Sequence, residues 1–293
     1  MVLAGVDVTD GPGARDALKE INTCIFDCDG VLWRGSRKIQ GCDEVIASLE
    51  ASGKRVFYLT NNSAKSRDQC AQKLAHFGIS ARKEQIICSS SSAASYLDSI
   101  DFDKRGRVLV IGQEGILIEL KEAGYETVRC DDVAGSSDPR CPIPDYEALE
   151  VDASIRAVVA GVDDSFTYRK LCVASLYLQK DPERVFVATN LDVGDSVGAD
   201  GRLIPGAGPV IASIESASGR EAVNVGKGGE WLLPFLLDKF QLDSSRTCIV
   251  GDRLDTGNGP SSIFSLSFLV LSFYFVLTII VTTIIFFFFS HAD

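Results

Sequence analysis

Residues 24–33 read CIFDCDGVLW, and the step inside this stretch from an apolar run to two aspartates decides how the chain is read. Cys24, Ile25 and Phe26 suit a buried strand, yet Asp27 and Asp29 follow at once. An unpaired buried carboxylate costs several kcal/mol, comparable to the margin by which a whole domain is stable, so these charges must be answered from elsewhere in the fold.

Working outward, the same pattern of a short apolar run closed by polar groups recurs. Strands are expected at 23–27, 56–60, 108–112, 155–161, 185–188 and 247–251. Between them, segments of helical period run over 42–52, 66–77, 168–179, 209–217 and 230–240. Alternation of this kind gives an α/β fold of parallel sheets wrapped by helices, in which ligands bind at the carboxyl ends of strands. Three expected strands end in groups suited to such a crevice: Asp27-Cys28-Asp29, Thr60-Asn61-Asn62-Ser63 and Gly251-Asp252-Arg253. A fourth element, Val225-Gly226-Lys227-Gly228, sets a lysine between glycines ahead of a helix. Residues 105 to 205 carry strands and helices of their own but none of these groups, and read as a second domain inserted into the first.

Composition narrows the chemistry. The chain has 293 residues, 46% of them apolar, enough for a packed core, and a net charge of -11 without clustered Lys and Arg, which excludes nucleic acid as a partner. Nine scattered cysteines lack the paired spacing of a zinc site and suit buried thiols in a reducing compartment. With only His76 and His291, a Ser/His/Asp triad or a histidine-based metalloprotease site is excluded. The N-terminal stretch has neither a secretory core nor a transit-peptide composition, so a cytoplasmic location is expected, with a plastid as the alternative if the N-terminus is incomplete.

A carboxylate attacks a phosphoryl group when both charges are masked, and Mg²⁺ held by hard oxygens does that masking. Asp27 and Asp252 with a backbone carbonyl would suffice to hold the ion. Asp29, two positions on, could protonate a leaving group. Thr60 and Asn61, with Lys227, would hold the phosphate oxygens. Each piece has a plainer reading: a solvated DxD turn, or a Thr-Asn-Asn-Ser helix cap. Gly226-Lys227 is not a Walker A loop, because Glu221 stands where its first glycine is required, and Gly206-Ala207-Gly208 lacks the third glycine of a dinucleotide fingerprint. Order and context favour the single site over the separate readings.

The set IFDCDGVLW, YLTNNSAKS, VGKGGEW and IVGDRLDT resembles the haloacid dehalogenase superfamily of phosphatases, and within it the phosphoglycolate and pyridoxal phosphatase group, also called 4-nitrophenylphosphatase-like. The resemblance runs from about residue 20 to 256 and includes FVATNLD and GRLIPGAGPVIASIESASGREAVNVGK. It implies a Rossmann-like core with an inserted α/β cap of the C2 type: core over 20–105 and 205–256, cap over 106–204, and an atypical hydrophobic tail over 257–293. It further implies Asp27 as the nucleophile of an aspartyl-phosphate, Asp29 as general acid and then base, and Thr60, Asn61 and Asn62 on the phosphoryl group. Lys227 neutralises that group, and Mg²⁺ is bound by Asp27, the Asp29 carbonyl and Asp252. The implied substrate is a small phosphomonoester, 2-phosphoglycolate ahead of pyridoxal phosphate, and the implied partner is a second copy joined through the cap.

The resemblance stops at Thr256. Gly257 stands where the family has a further acid, and Ile263 to Phe289 carry no charge. The apolar run is long enough for a membrane-spanning helix, which would make a tail-anchored enzyme. It also has the composition of a translated T-rich non-coding stretch, a reading favoured by the break inside a motif. The second reading leaves a truncated core with an exposed sheet edge, and with it the alternative of an inactive product that only binds.

Overall fold

The computed structural model describes residues 19–134, 146, 149–197, 202–251 and 267–268. Their contacts divide into two compact units. One holds the described residues up to Thr60, with Cys70–Ile87 and those from Leu233 on; the other holds Asn61–Gln69 and Cys88–Leu232. The second unit is wider than the 106–204 span expected for an inserted domain, and it takes in Asn61, Asn62 and Lys227.

In the first unit β1 (Thr23–Asp27) is the middle strand of a five-stranded sheet, and all five of its residues are buried. A two-stranded hairpin, β2 (Trp33–Arg34) with β3 (Arg37–Lys38), follows it. The chain then passes through α1 (Cys42–Ala51) to β4 (Arg55–Thr60), parallel to β1, and through α2 (Arg67–His76) to β5 (Ile86–Cys88). Much later it returns on the other side of β1 with β13 (Thr247–Val250) and β14 (Ser267–Phe268), giving the order β14-β13-β1-β4-β5. Strands added first to one side of β1 and then to the other make its carboxyl end a topological switch point, where helices diverge and leave a crevice. Asp27, the last residue of β1, stands at that end. β14 comes from the apolar tail and pairs with β13, Cys248 with Ser267 and Ile249 with Phe268.

The second unit is built on the sheet β12-β9-β8-β6-β7, from β6 (Arg107–Ile111), β7 (Thr127–Arg129), β8 (Ile155–Ala160), β9 (Val185–Ala188) and β12 (Val223–Asn224). Residues along β8 alternate between two cores. Val158 and Ala160 pack with α6 (Tyr168–Lys180) and α7 (Ala207–Ser218) through Val173, Ile211 and Ile214. Ala157 and Val159 pack with α3 (Ser89–Ser99) and α4 (Glu114–Glu122) through Leu97, Ile116 and Leu120. Burial on both faces explains why β6 and β8 are near-continuous apolar runs and not alternating ones, each large side chain contributing about 1.5–3 kcal/mol. The unit is completed by α5 (Cys130–Ala134) and the hairpin of β10 (Gly194–Val197) and β11 (Arg202–Pro205). Among the described residues the last α-helix, α8 (Leu232–Lys239), begins at the edge of this unit.

The turn after β8 is pinned by a buried ammonium. Lys170 is 2% exposed, and its Nζ donates to Asp163 Oδ2 at 2.8 Å, Asp131 Oδ1 at 2.9 Å and Ser165 Oγ at 3.1 Å. Burial works against its charge, but the two carboxylates outweigh it and raise its pKa above the ordinary 10.5.

β1 and β9 have the limits expected from sequence, and the other four expected strands begin or end within a residue of expectation. Unforeseen were α4 and α3, the latter because its first turn, Ser89 to Ser92, has turn-forming chemistry. These serines are buried and their hydroxyls are spent on fixed carbonyls: Ser89 on Asn61, Ser90 on Lys65, Ser91 and Ser92 on Cys88. Among the described residues no helix is long and apolar enough to cross a membrane. Apart from Ser267–Phe268, the tail over 257–293 lies outside them.

Candidate active site

The first unit carries the two opening aspartates. Asp27 is 6% exposed, and its Oδ1 accepts from the Cys28 amide at 2.7 Å, which fixes the carboxylate at the strand end. The chain then folds sharply: the Cys28 carbonyl accepts from Leu32 N at 2.8 Å, Gly30 N donates to Trp33 O at 2.7 Å, and Gly30 takes φ 87°, a conformation that favours glycine. This loop swings Trp33 back, so that its Nε1 donates to Asp29 Oδ1 at 2.7 Å. Thr60, one residue past the Asp27–Leu59 pair, offers its hydroxyl to Asp29 Oδ2 at 3.4 Å. Trp33 is itself held, with Lys73 Nζ 4.0 Å from its ring centroid and the Phe77 ring at 5.6 Å. Asp29 is thus exposed but oriented by an indole that sequence reasoning did not single out. Its signal was the spacing, a tryptophan four residues after the acid.

Asp252 lies outside the described residues. The strand leading to it, β13, runs beside β1 with Val250 paired to Phe26.

In the second unit Asn61 is a hub. Its Oδ1 accepts from the Lys227 amide at 2.7 Å, its Nδ2 donates to Asp192 Oδ2 at 2.9 Å, and its carbonyl accepts from Asn190 Nδ2 at 2.9 Å and Ser89 Oγ at 2.7 Å. Asn62 Oδ1 caps Lys65 N at 3.0 Å. Gly226 is required by this packing, since a Cβ there would stand 2.5 Å from Thr189 O and 2.7 Å from Asn190 Cβ. Lys227 is therefore placed through its own backbone by Asn61, across 166 residues of sequence. Asn190 and Asp192 were not foreseen as site residues. Their signal was the second Thr-Asn strand end at 189–190, which repeats the one at 60–61.

Among the described residues all cysteines are free, and burial pushes the thiols of Cys42 and Cys130 up to about 11 and about 12, so neither is a ready thiolate. The donors at the end of β1 are hard oxygens, the kind Mg²⁺ takes. Among the described residues no three His, Cys, Asp or Glu form a metal cluster, and Asp252, the remaining expected ligand, is not among them.

A parallel α/β sheet with an oriented acid pair at its switch point has the layout of a ligand-binding crevice of the Rossmann-like class. A family model for haloacid dehalogenase-like hydrolases matches residues 24–126. Phosphoglycolate phosphatase 1A, chloroplastic, of Arabidopsis thaliana is 39% identical over 83% of this chain, which spans 66% of that protein's length. Human chronophin is 35% identical over 84% of this chain and 79% of its own. Among solved structures, glycerol phosphate phosphatase from Mycobacterium tuberculosis in complex with magnesium superposes with a TM-score of 0.65 at 25% identity, over 82% of this chain and 64% of that one. The chain belongs to the haloacid dehalogenase-like hydrolases, in a branch whose relatives are phosphatases.

Proposed function

We propose that the protein is a Mg²⁺-dependent phosphomonoester hydrolase that works through an aspartyl-phosphate on Asp27, with 2-phosphoglycolate as substrate. The observation that carries this reading is the buried Asp27 carboxylate, fixed by the Cys28 amide at the switch point, beside an Asp29 turned by Trp33. Asp27 attacks phosphorus as the ester P–O bond breaks, and Asp29 gives its proton to the departing alkoxide oxygen. Water then attacks the acyl phosphate, Asp29 takes its proton, and inorganic phosphate leaves with Asp27 restored. Thr60, Asn61 and Asn62 hold phosphoryl oxygens, and Lys227 balances their charge. Bound by Asp27, the Asp29 carbonyl and Asp252, Mg²⁺ supplies charge neutralisation that lets two anions meet.

The substrate rests on the phosphoglycolate phosphatase relative, and chronophin keeps pyridoxal phosphate as the runner-up. Phosphate release from both esters by wild type and Asp27→Asn tests the reading. Turnover is expected to vanish in the variant while its melting transition stays, and undiminished hydrolysis would refute Asp27 as nucleophile. A homodimer formed through the cap over 106–204 belongs to the same proposal. Exposed Tyr168, Val193 and Leu203 on that span support it, and sedimentation at micromolar concentration tests it.

A further inference from the structure

We propose that Asp192 is a positioning residue for Lys227, acting through the carboxamide of Asn61. The proposal rests on the reading of Lys227 as the group that balances phosphoryl charge.

A carboxamide is two-ended: one end only donates and the other only accepts. Lys227 can be placed by Asn61 only if the oxygen faces its amide, as it does at 2.7 Å. A flipped Asn61 would set an NH₂ against an N–H and push the 226–229 turn away. Asp192 faces the other end, and an ionised carboxylate only accepts, so its 2.9 Å bond to Nδ2 selects the productive orientation by charge as well as geometry.

The backbone of Asp192 is in turn fixed at both its amide and its carbonyl, and its partner Asn190 is tied to Asn61. Its amide donates to Asn190 Oδ1 at 3.0 Å, its carbonyl accepts from Gly208 N at 2.8 Å at the start of α7, and Asn190 also donates to the Asn61 carbonyl. Asn61 and Asn190 thereby lock together, and Asp192 transmits the position of β9 to the lysine turn. Gly226 leaves that turn little slack, because even a Cβ there would meet Thr189 O at 2.5 Å and Asn190 Cβ at 2.7 Å. A displacement of the lysine of about 1 Å is enough to cost on the order of 100-fold in rate.

The experiment uses the full chain at saturating Mg²⁺ and reads kcat, KM and the affinity for inorganic phosphate by calorimetry. Asp192→Ala is expected to lower kcat/KM and weaken phosphate binding by about 10- to 100-fold. Asp192→Asn, whose Oδ1 still accepts, should stay within about threefold. In a Lys227→Ala background Asp192→Ala should cost nothing further, since both changes remove one function. Additive losses, an unaffected alanine variant, or an asparagine variant as poor as alanine would each overturn the proposal. If the alanine variant does not melt cooperatively, Asp192→Ser, too short to reach Asn61, takes its place with the same expectations. Lys227-dependent phosphate binding that falls with Asp192→Ala, without turnover in the wild type, would uphold the positioning role and sink the hydrolase reading. Turnover that needs Lys227 but ignores Asp192 would do the reverse.

Discussion

Replacing Lys170 by methionine removes the one ammonium that answers two carboxylates at the turn after β8, and the size of the loss follows from what each partner keeps. Asp131 is half exposed and returns to water, so its bond contributes about 0–1 kcal/mol. The Asp163 side chain is 3% exposed and has no such recourse. Its Oδ1 retains the amide and hydroxyl of Ser165, each at 3.0 Å, but Oδ2 loses its partner. Breaking a buried pair from one side costs about 3–5 kcal/mol, and the surviving Ser165 bonds place this case at about 3. With a urea m-value of about 1–3 kcal/mol/M, the midpoint should fall by about 1–3 M. Adding Asp163→Asn removes the stranded charge and should restore more than half of the loss.

The same cluster fixes a pH dependence. A lysine whose pKa is higher in the folded state stabilises fully below its unfolded value of 10.5 and loses that contribution as pH rises through the folded value. The stability gap between wild type and Lys170→Met should therefore be level from neutral pH to about 10.5 and narrow above it. A single variant that loses under about 1 kcal/mol, or a double variant no better than the single, would refute the reasoning that Lys170 answers a buried charge.

Trp33→Phe keeps the ring that packs on Phe77 but deletes the donor to Asp29, so kcat should fall by about 10- to 100-fold, the value of one hydrogen bond to a charged group, with KM little changed; steady-state kinetics check it. Gly226→Ala forces a Cβ to 2.5 Å from the Thr189 carbonyl, and urea unfolding should show about 1–3 kcal/mol of destabilisation, with none expected for the same change at the open turn residue Gly53 beyond the strain of its positive φ. Chelation of divalent ions should abolish phosphate release, and Mg²⁺ alone should restore it; activity that survives chelation would remove the metal from the proposed function.

The parts of the fold that the sequence made legible are those governed by one-dimensional rules. β1, β4 and β8 could be read because strands buried on both faces must be apolar along their length, and Asp27 stood out because a charge at the end of such a run demands an answer. α3 escaped because four serines contradict helix propensity, and only the carbonyls of Asn61, Lys65 and Cys88, brought there by the fold, make them favourable. Asp192 escaped for a deeper reason: Thr-Asn at 189–190 marks a polar strand end, but nothing local shows that the carboxylate two residues on reaches an amide 131 residues away. The stretch 61–69 shows the same limit. By order along the chain it continues the strand that ends at Thr60, yet its hydrogen bonds run to Ser89, Ser90, Gly115, Glu119 and Lys227. Residues that do chemistry can thus be found from their own cost in free energy, whereas residues that aim them become visible only when the partners are in place.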